Sequence, residues 1–278
     1  MGLDYGVNNT YGKISNRQSF EILSLAFSNG INILDTAEVY GNSHHIIGNF
    51  HYKNPSSKFK IITKLPHDIK THEIKSKVFE YLKVLRVEKI EILMFHSFDT
   101  FKNNIIAIDL LNSLKSDGYI KNIGVSVYTN DEIEFLIDKD SIDVVQLPFN
   151  LLDNIRVRGE LIKKLKESKK IVHTRSAFLQ GLFFKKIDDN NIVVKELNKE
   201  LILLNNIISK LGCTMEELAL SYCINQKLID KVIVGVDSVS QLNANLKATQ
   251  FKLPSKFKID IDSINVKNLK LLNPSLWN

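Results

Sequence analysis

The sequence predicts an α/β fold, a TIM-type (β/α)8 parallel barrel built as a single domain over residues 1–278, with seven recognisable strands. Three observations predict it. Short apolar runs alternate with longer amphipathic stretches, each pair taking about 30 residues, the rhythm of repeated βα units. The runs are rich in Ile, Val and Leu with little alternation, as parallel strands covered on both faces require. No GxGxxG follows an early strand, so the competing open doubly wound sheet lacks its dinucleotide fingerprint.

Taken in order, Met1–Ser15 reads as loop, because Gly2, Asp4, Gly6, Asn8, Asn9 and Gly12 are turn formers. Asn16–Ser28 follows as a helix stopped by Gly30, and Asn32–Thr36 is the first strand. Phe59–Leu65, Ile90–His96, Asn122–Val127, Val144–Phe149 and Lys170–Arg175 are the next five strands. The helices between them are Thr71–Leu85, Phe101–Asp117 with Gly118 behind it, Asp131–Leu136 and Glu160–Ser168. Leu197–Leu211 adds an apolar helical face that ends at Gly212. Thr214 and Glu217 then form a capping box that opens a helix over Met215–Gln226. Val232–Val236 is the seventh strand and Ser240–Ala248 the closing helix. An eighth strand should precede Asn16–Ser28, and only Met1–Ser15 stands in its place.

Composition excludes several classes of function. The net charge of +6 and pI near 9.0 come from lysines scattered along the chain. They attract anions mildly, but no basic stripe interleaves with aromatics, so no nucleic-acid partner is expected. Cys213 and Cys223 have neither metal spacing nor a CxxC pattern. Reduced thiols in a cytoplasmic protein, and no metal, are expected. No window reaches the roughly 18 unbroken apolar residues of a membrane helix, and no leader pattern opens the chain. Position 6 is glycine, which breaks a myristoylation pattern. Oligomeric state leaves no signature in the sequence.

In a barrel, chemistry belongs at the carboxyl ends of the strands, where Asp35, Lys64, His96, Ser126, Gln146 and Arg175 fall. Asp35, Tyr40, Lys64 and His96 come from the ends of three successive strands, so one mouth would gather them. A lysine ammonium near a tyrosine hydroxyl stabilises phenolate, so the Tyr40 pKa is expected to be drawn down from about 10 toward working pH. Tyr40 would then act as general acid, with Asp35 fixing Lys64. A neutral His96 would orient a substrate carbonyl. Each residue alone has an ordinary use, as a helix cap, a half-buried aromatic, a solvated lysine or a core histidine. Their coincidence at successive strand ends carries the argument. Lys121, Arg156 and Arg158 also lie near strand ends and are read as solvated surface charge, with an anionic or sugar-nucleotide substrate as their other use.

Several segments carry a resemblance. They are Gly30-Ile-Asn-Ile-Leu-Asp-Thr-Ala-Glu-Val-Tyr-Gly-Asn-Ser43 with Gly48, Ile61-Ile-Thr-Lys64, Leu93-Met-Phe-His96, Gly124-Val-Ser126, Val145-Gln-Leu-Pro-Phe-Asn150, Ser176-Ala-Phe-Leu-Gln-Gly-Leu182, and Val232-Ile-Val-Gly-Val-Asp-Ser238 with Gln241-Leu242 and Asn245. In this order, from about Asp4 to Asn245, the chain resembles the aldo-keto reductases, whose barrel binds a nicotinamide cofactor without a Rossmann fold. The resemblance implies a hydride transfer from NAD(P)H to an aldehyde or ketone carbonyl of a small molecule, with Asp35, Tyr40, Lys64 and His96 as catalytic tetrad. It also implies that Ser126 and Gln146 hold the nicotinamide carboxamide. Ser176, Phe178 and Gln180 would cover the pyrophosphate, and Gly235, Ser238, Gln241 and Asn245 would meet the adenosine end.

Departures from the family pattern have consequences too. Val127 replaces an asparagine that assists Ser126 in many relatives. Arg175 replaces an aromatic residue stacked on nicotinamide, a task a planar guanidinium can share. Gly235 and Gln241 replace basic residues that grip a 2′-phosphate. NADP(H) is still favoured over NAD(H) by the resemblance, though less strongly. Relatives carry a Leu-Gly-Thr-type first strand where Met1 stands, which implies a start further upstream or a shortened copy. The alternative reading is a cofactor-binding regulatory or partner-binding subunit without turnover.

Overall fold

The computed structural model describes Gly12, residues 14–187 and residues 189–277; most of the loop expected over Met1–Ser15 lies outside them. Among the described residues, seven strands form one parallel sheet in chain order: β1 (Ile33–Asp35), β2 (Lys60–Leu65), β3 (Ile90–Phe95), β4 (Ile120–Ser126), β5 (Val144–Pro148), β6 (Ile171–Arg175) and β7 (Lys231–Val232). Helix α1 (Asn16–Ser28) precedes β1, and α2 (Ser43–Lys53) and α3 (Ile74–Leu85) flank β2. After β3 come α4 (Phe98–Asn103) and α5 (Ile108–Ser116), after β4 comes α6 (Asn130–Ile137), and after β5 comes α7 (Ile155–Glu167). Between β6 and β7 lie α8 (Ile192–Glu196), α9 (Asn198–Leu211) and α10 (Met215–Ile224). Helices α11 (Val239–Ala248) and α12 (Ser255–Ser263) close the chain, and α11 packs against α1.

The expected barrel architecture therefore holds, with seven strands in a curled part-barrel. One hydrogen bond shows the curl. Gln146 on β5 donates Nε2 to Asp35 Oδ2 on β1 at 2.8 Å, although β1 and β5 are four positions apart in the sheet. In a flat sheet, four strand spacings would separate them by about 19 Å.

Alternation along each strand sorts the side chains onto two faces. Ile62, Ile92, Met94 and Val144 pack together with Ile33 and Ile171 as a small inner core. Two residues further along the same faces stand Asp35, Lys64, His96, Gln146 and His173. The opposite face, including Ile61, Leu93, Ile123, Val145 and Val172, joins the helices in the main core. The inner face thus grows polar toward the carboxyl ends, which is where the candidate residues sit.

Three elements depart from their expected bounds, each for an identifiable reason, and helices α2, α8 and α12 are not among those expected. Helix Phe101–Asp117 is broken after Asn103: the Asn104 side chain accepts from Thr71 Oγ1 and donates to Ile69 O and Thr100 O, anchoring the break. Helix α7 starts five residues earlier than Glu160, because Asn154 caps it by accepting from Arg156 N and is itself held by Ile261 O. Strand β7 is shorter than Val232–Val236. Among the described residues it has β6 as its single neighbour, and the bonding to β6 ends at Ile233 N to Thr174 O, 2.7 Å.

Gly48 earns its place in the quoted motif by close approach. A Cβ there would lie 1.8 Å from Val84 O, so the α2–α3 crossing admits no side chain.

Candidate active site

Asp35 ends β1, and the chain then turns through Ala37 and Glu38 to bring Tyr40 back over the mouth. This turn is tied down at several points. Thr36 Oγ1 bonds Ser43 Oγ at 2.9 Å, and Glu38 takes hydrogen bonds from Lys77 Nζ, at 2.7 Å, and from the Tyr81 hydroxyl on α3. Lys64, buried near the end of β2, is ion-paired to Asp35 and donates to Thr36 O at 3.1 Å. Its ammonium lies 5.4 Å from the Tyr40 ring centroid. The Tyr40 and His96 rings meet edge-on at 5.8 Å. The structure thus gathers Asp35, Tyr40, Lys64 and His96 at one mouth, with Gln146 joined through Asp35.

The electrostatics correct one expectation. The Tyr40 hydroxyl is not drawn down by Lys64 but held well above its ordinary 10, first by burial and then by the Asp35 carboxylate, with Arg175 opposing. The reason is pairing: the Lys64 charge is compensated in contact by Asp35, so little of it is left to stabilise a phenolate. Tyr40 therefore keeps its proton at neutral pH. His96 matches the expected neutral imidazole. Burial, with the Lys64, His67 and Arg175 charges adding, pulls its pKa down to about 3. Its buried Nδ1 has no hydrogen-bond partner among the described residues.

Burial also lowers the pKa of His44, to about 4, and those of His51 and His173. In the unfolded chain these imidazoles take up protons near pH 6.5, while the folded state refuses them until lower pH. Their contribution to stability is complete above 6.5 and is lost as pH falls. The urea midpoint should therefore drop steadily from pH 7 to pH 5 at constant m-value; a flat midpoint would contradict the assignment of these four rings as neutral.

The cofactor candidates fall into three groups. At the mouth, Ser126 and Gln146 are adjacent in the β4–β5 register and both buried. The Ser126 hydroxyl has no hydrogen bond among the described residues, and the Gln146 amide oxygen is likewise uncommitted. Arg175 sits with its guanidinium carbon 4.1 Å from the Tyr128 ring centroid. It donates Nη2 to Val127 O at 3.1 Å and Nη1 to Ser176 Oγ at 3.3 Å.

The second group is the loop after β6. Ser176, Leu179 and Gln180 all adopt left-handed backbone, with φ of 63°, 47° and 52°. Such geometry costs about 1–3 kcal/mol per non-glycine residue and persists only where the surroundings impose it. Here the Asn150 amide grips Ser176 O at 3.2 Å and Leu179 and Leu182 are fully buried, while Phe178 packs on Phe184.

The third group lies on the β7–α11 segment, where, among the described residues, no hydrogen bond joins it to the mouth residues. Ser238 caps α11 by accepting from Gln241 N at 3.1 Å, and the Gln241 side chain folds back to accept from Asp237 N at 2.7 Å. These two residues thus have a local structural use, and the Ser238 hydroxyl keeps its proton to donate. Gly235 has open space where a Cβ would be, and Asn245 is half-buried on α11.

The free polar atoms at the mouth fit a nicotinamide group. A carboxamide needs both a donor and an acceptor, and the Ser126 hydroxyl and the Gln146 oxygen supply them side by side. Among the described residues no cluster of His, Cys, Asp or Glu suits a metal ion. No described helix is long and apolar enough to cross a membrane.

Sequence reasoning missed three contributors and misjudged one. His67 stacks on His96 at 4.5 Å, Tyr128 supports Arg175, and Glu38 anchors the turn carrying Tyr40. Glu38 stands inside the first quoted segment, and His67 and Tyr128 lie within three residues of singled-out positions. Arg158 is not solvated surface charge. It is buried, pairs bidentately with fully buried Asp153 at 2.6 and 2.8 Å, and donates to Asn130 Oδ1 and Tyr128 O. Lys121, by contrast, pairs with Glu91 near the surface.

Comparison with known proteins agrees with this arrangement. The sequence model of the aldo/keto reductase family matches residues 4–266. The chain is 25% identical over 262 residues to an NADH-specific methylglyoxal reductase of Escherichia coli, covering 81% of this chain and 80% of the relative. It is 26% identical to the oxidoreductase YqkF of Bacillus subtilis, covering 83% and 82%. Among solved structures, the holo form of an aldo-keto reductase from Bacillus halodurans superposes with a TM-score of 0.75 at 19% identity, over 96% of this chain and 97% of that one. The chain therefore belongs to the aldo/keto reductase family and is an NAD(P)H-dependent oxidoreductase acting on carbonyl chemistry.

Proposed function

We propose that this protein reduces the carbonyl of a small aldehyde or ketone, with Tyr40 as general acid and Asp35, Lys64 and His96 completing the catalytic set. The observation that carries this reading is the convergence of the four side chains at the carboxyl ends of β1, β2 and β3. When bound, the reduced nicotinamide supplies the hydride. The substrate oxygen would rest between the Tyr40 hydroxyl and the neutral His96 ring, which orients it by hydrogen bonding. As the carbonyl carbon gains hydride, the C=O π pair moves onto oxygen, and that oxygen takes the Tyr40 proton to give the alcohol. Tyr40 is left as phenolate and is reprotonated from solvent. Its high pKa in the resting site keeps the proton in place until negative charge develops on the substrate.

Ser126 and Gln146 are proposed to hold the carboxamide and Arg175 to lie against the nicotinamide. The Ser176–Gln180 loop is proposed to cover the pyrophosphate, and Gly235, Ser238, Gln241 and Asn245 to receive the adenosine end. The family favours NADP(H), yet Gly235 and Gln241 bring no charge to a 2′-phosphate, and the E. coli relative is NADH-specific by name. Both cofactors therefore belong in the test. Purified protein with methylglyoxal and either NADH or NADPH should consume the nicotinamide absorbance in proportion to enzyme. Tight cofactor binding with no turnover on a panel of aldehydes would instead support the second reading, a regulatory or partner-binding subunit. That reading draws on the outer edges of β1 and β7, which no described strand covers.

A further inference from the structure

The charges at the mouth do not all cancel. Lys64 is matched by Asp35, and Arg158 by Asp153, but the Arg175 guanidinium has no carboxylate partner among the described residues. Its three contacts are neutral: Val127 O, Ser176 Oγ and the Tyr128 ring. These contacts also lock it in place, since Tyr128 covers one face and two of its nitrogens are bonded. Alternation along β6 puts Arg175 on the same inner face as Ile171 and His173. Its charge is felt across the mouth, opposing Asp35 at Tyr40 and disfavouring protonation of His96. With Lys64 in contact with Asp35, Arg175 is the cation of the mouth that has no carboxylate in contact among the described residues.

We infer that Arg175 makes this site discriminate between the two redox forms of its cofactor, because a fixed, uncompensated guanidinium beside the Ser126–Gln146 seat repels the positive charge a nicotinamide ring carries once oxidised. The inference rests on the functional reading above. The reduced ring is neutral and is unaffected by this repulsion, so it binds more tightly than the oxidised ring. Guanidinium does not lose its proton in a protein, so the preference holds across the working pH range. A tenfold contribution corresponds to about 1.4 kcal/mol. By linkage, the same factor raises the midpoint potential of the bound two-electron couple by about 30 mV. A consequence for turnover is that oxidised cofactor leaves readily, while reduced cofactor is retained for the next substrate.

The test is equilibrium binding by calorimetry of NADH and NAD+, and of NADPH and NADP+, to the wild-type protein and to R175K, R175M and R175Q. The quantity read is the ratio of the oxidised-form Kd to the reduced-form Kd. That ratio should fall about tenfold in R175M and R175Q and stay within about threefold of wild type in R175K. Two neutral variants guard against one failing to fold, which a thermal melt reports. An unchanged ratio in the neutral variants would overturn the inference. So would an equal loss of affinity for both redox forms, which would make Arg175 an ordinary contact. Failure of the wild-type protein to bind any nicotinamide would instead sink the functional reading beneath it.

Discussion

Replacing Tyr40 by phenylalanine is expected to lower kcat for aldehyde reduction by about 10²–10⁴-fold, the usual contribution of a positioned general acid. Cofactor affinity and melting temperature should stay close to wild type. The expectation of a clean effect comes from the structure. The Tyr40 ring packs edge-on to His96 and near the Lys64 ammonium, and phenylalanine reproduces both contacts. The hydroxyl itself makes no hydrogen bond among the described residues, so deleting it leaves no buried partner stranded. What disappears is one proton at the mouth. Steady-state kinetics beside cofactor titration separates the two effects, and full activity in the variant would remove Tyr40 from the acid's role.

Replacing Arg158 by methionine is expected to destabilise the fold by about 3–5 kcal/mol, measured as a lowered urea midpoint. Asp153 is fully buried, and burial already pushes its carboxyl upward against the Arg158 charge. Without the guanidinium, Asp153 must either remain an uncompensated buried anion or bind a proton. The damage extends further, because Arg158 also holds Tyr128 O and Asn130 Oδ1, linking the loop after β4 to the start of α7. Removing both members of the pair, as R158M/D153L, should recover much of the loss, since an apolar pair leaves no stranded charge. A loss below about 1 kcal/mol in R158M would show that this buried network carries little of the stability.

Much of the architecture is legible along the chain because it depends on local pattern. Apolar runs of Ile, Val and Leu mark strands covered on both faces, and the Thr214–Glu217 box and Gly212 mark helix ends that the structure reproduces. The ends that escaped prediction are those decided by distant groups: Asn104 is anchored by Thr71, Asn154 by Ile261, and β7 by the reach of β6. No window of sequence contains those partners.

The same division runs through the site. That Asp35, Tyr40, Lys64 and His96 stand at strand ends follows from their order and spacing, because every parallel strand of a barrel delivers its carboxyl end to the same mouth. Which charge each group meets there does not. Burial and then the Asp35 carboxylate hold Tyr40 protonated, while Lys64 is paired to Asp35, contrary to the expectation from residue types alone. Arg158 turns inward to Asp153, while Arg175 is left unpaired on Tyr128. Residue order along a strand assigns a side chain to a face and a level. Only the curl of the sheet, which brings β1 within a hydrogen bond of β5, chooses its neighbours, and at contact distance the neighbours set charge, pKa and chemistry.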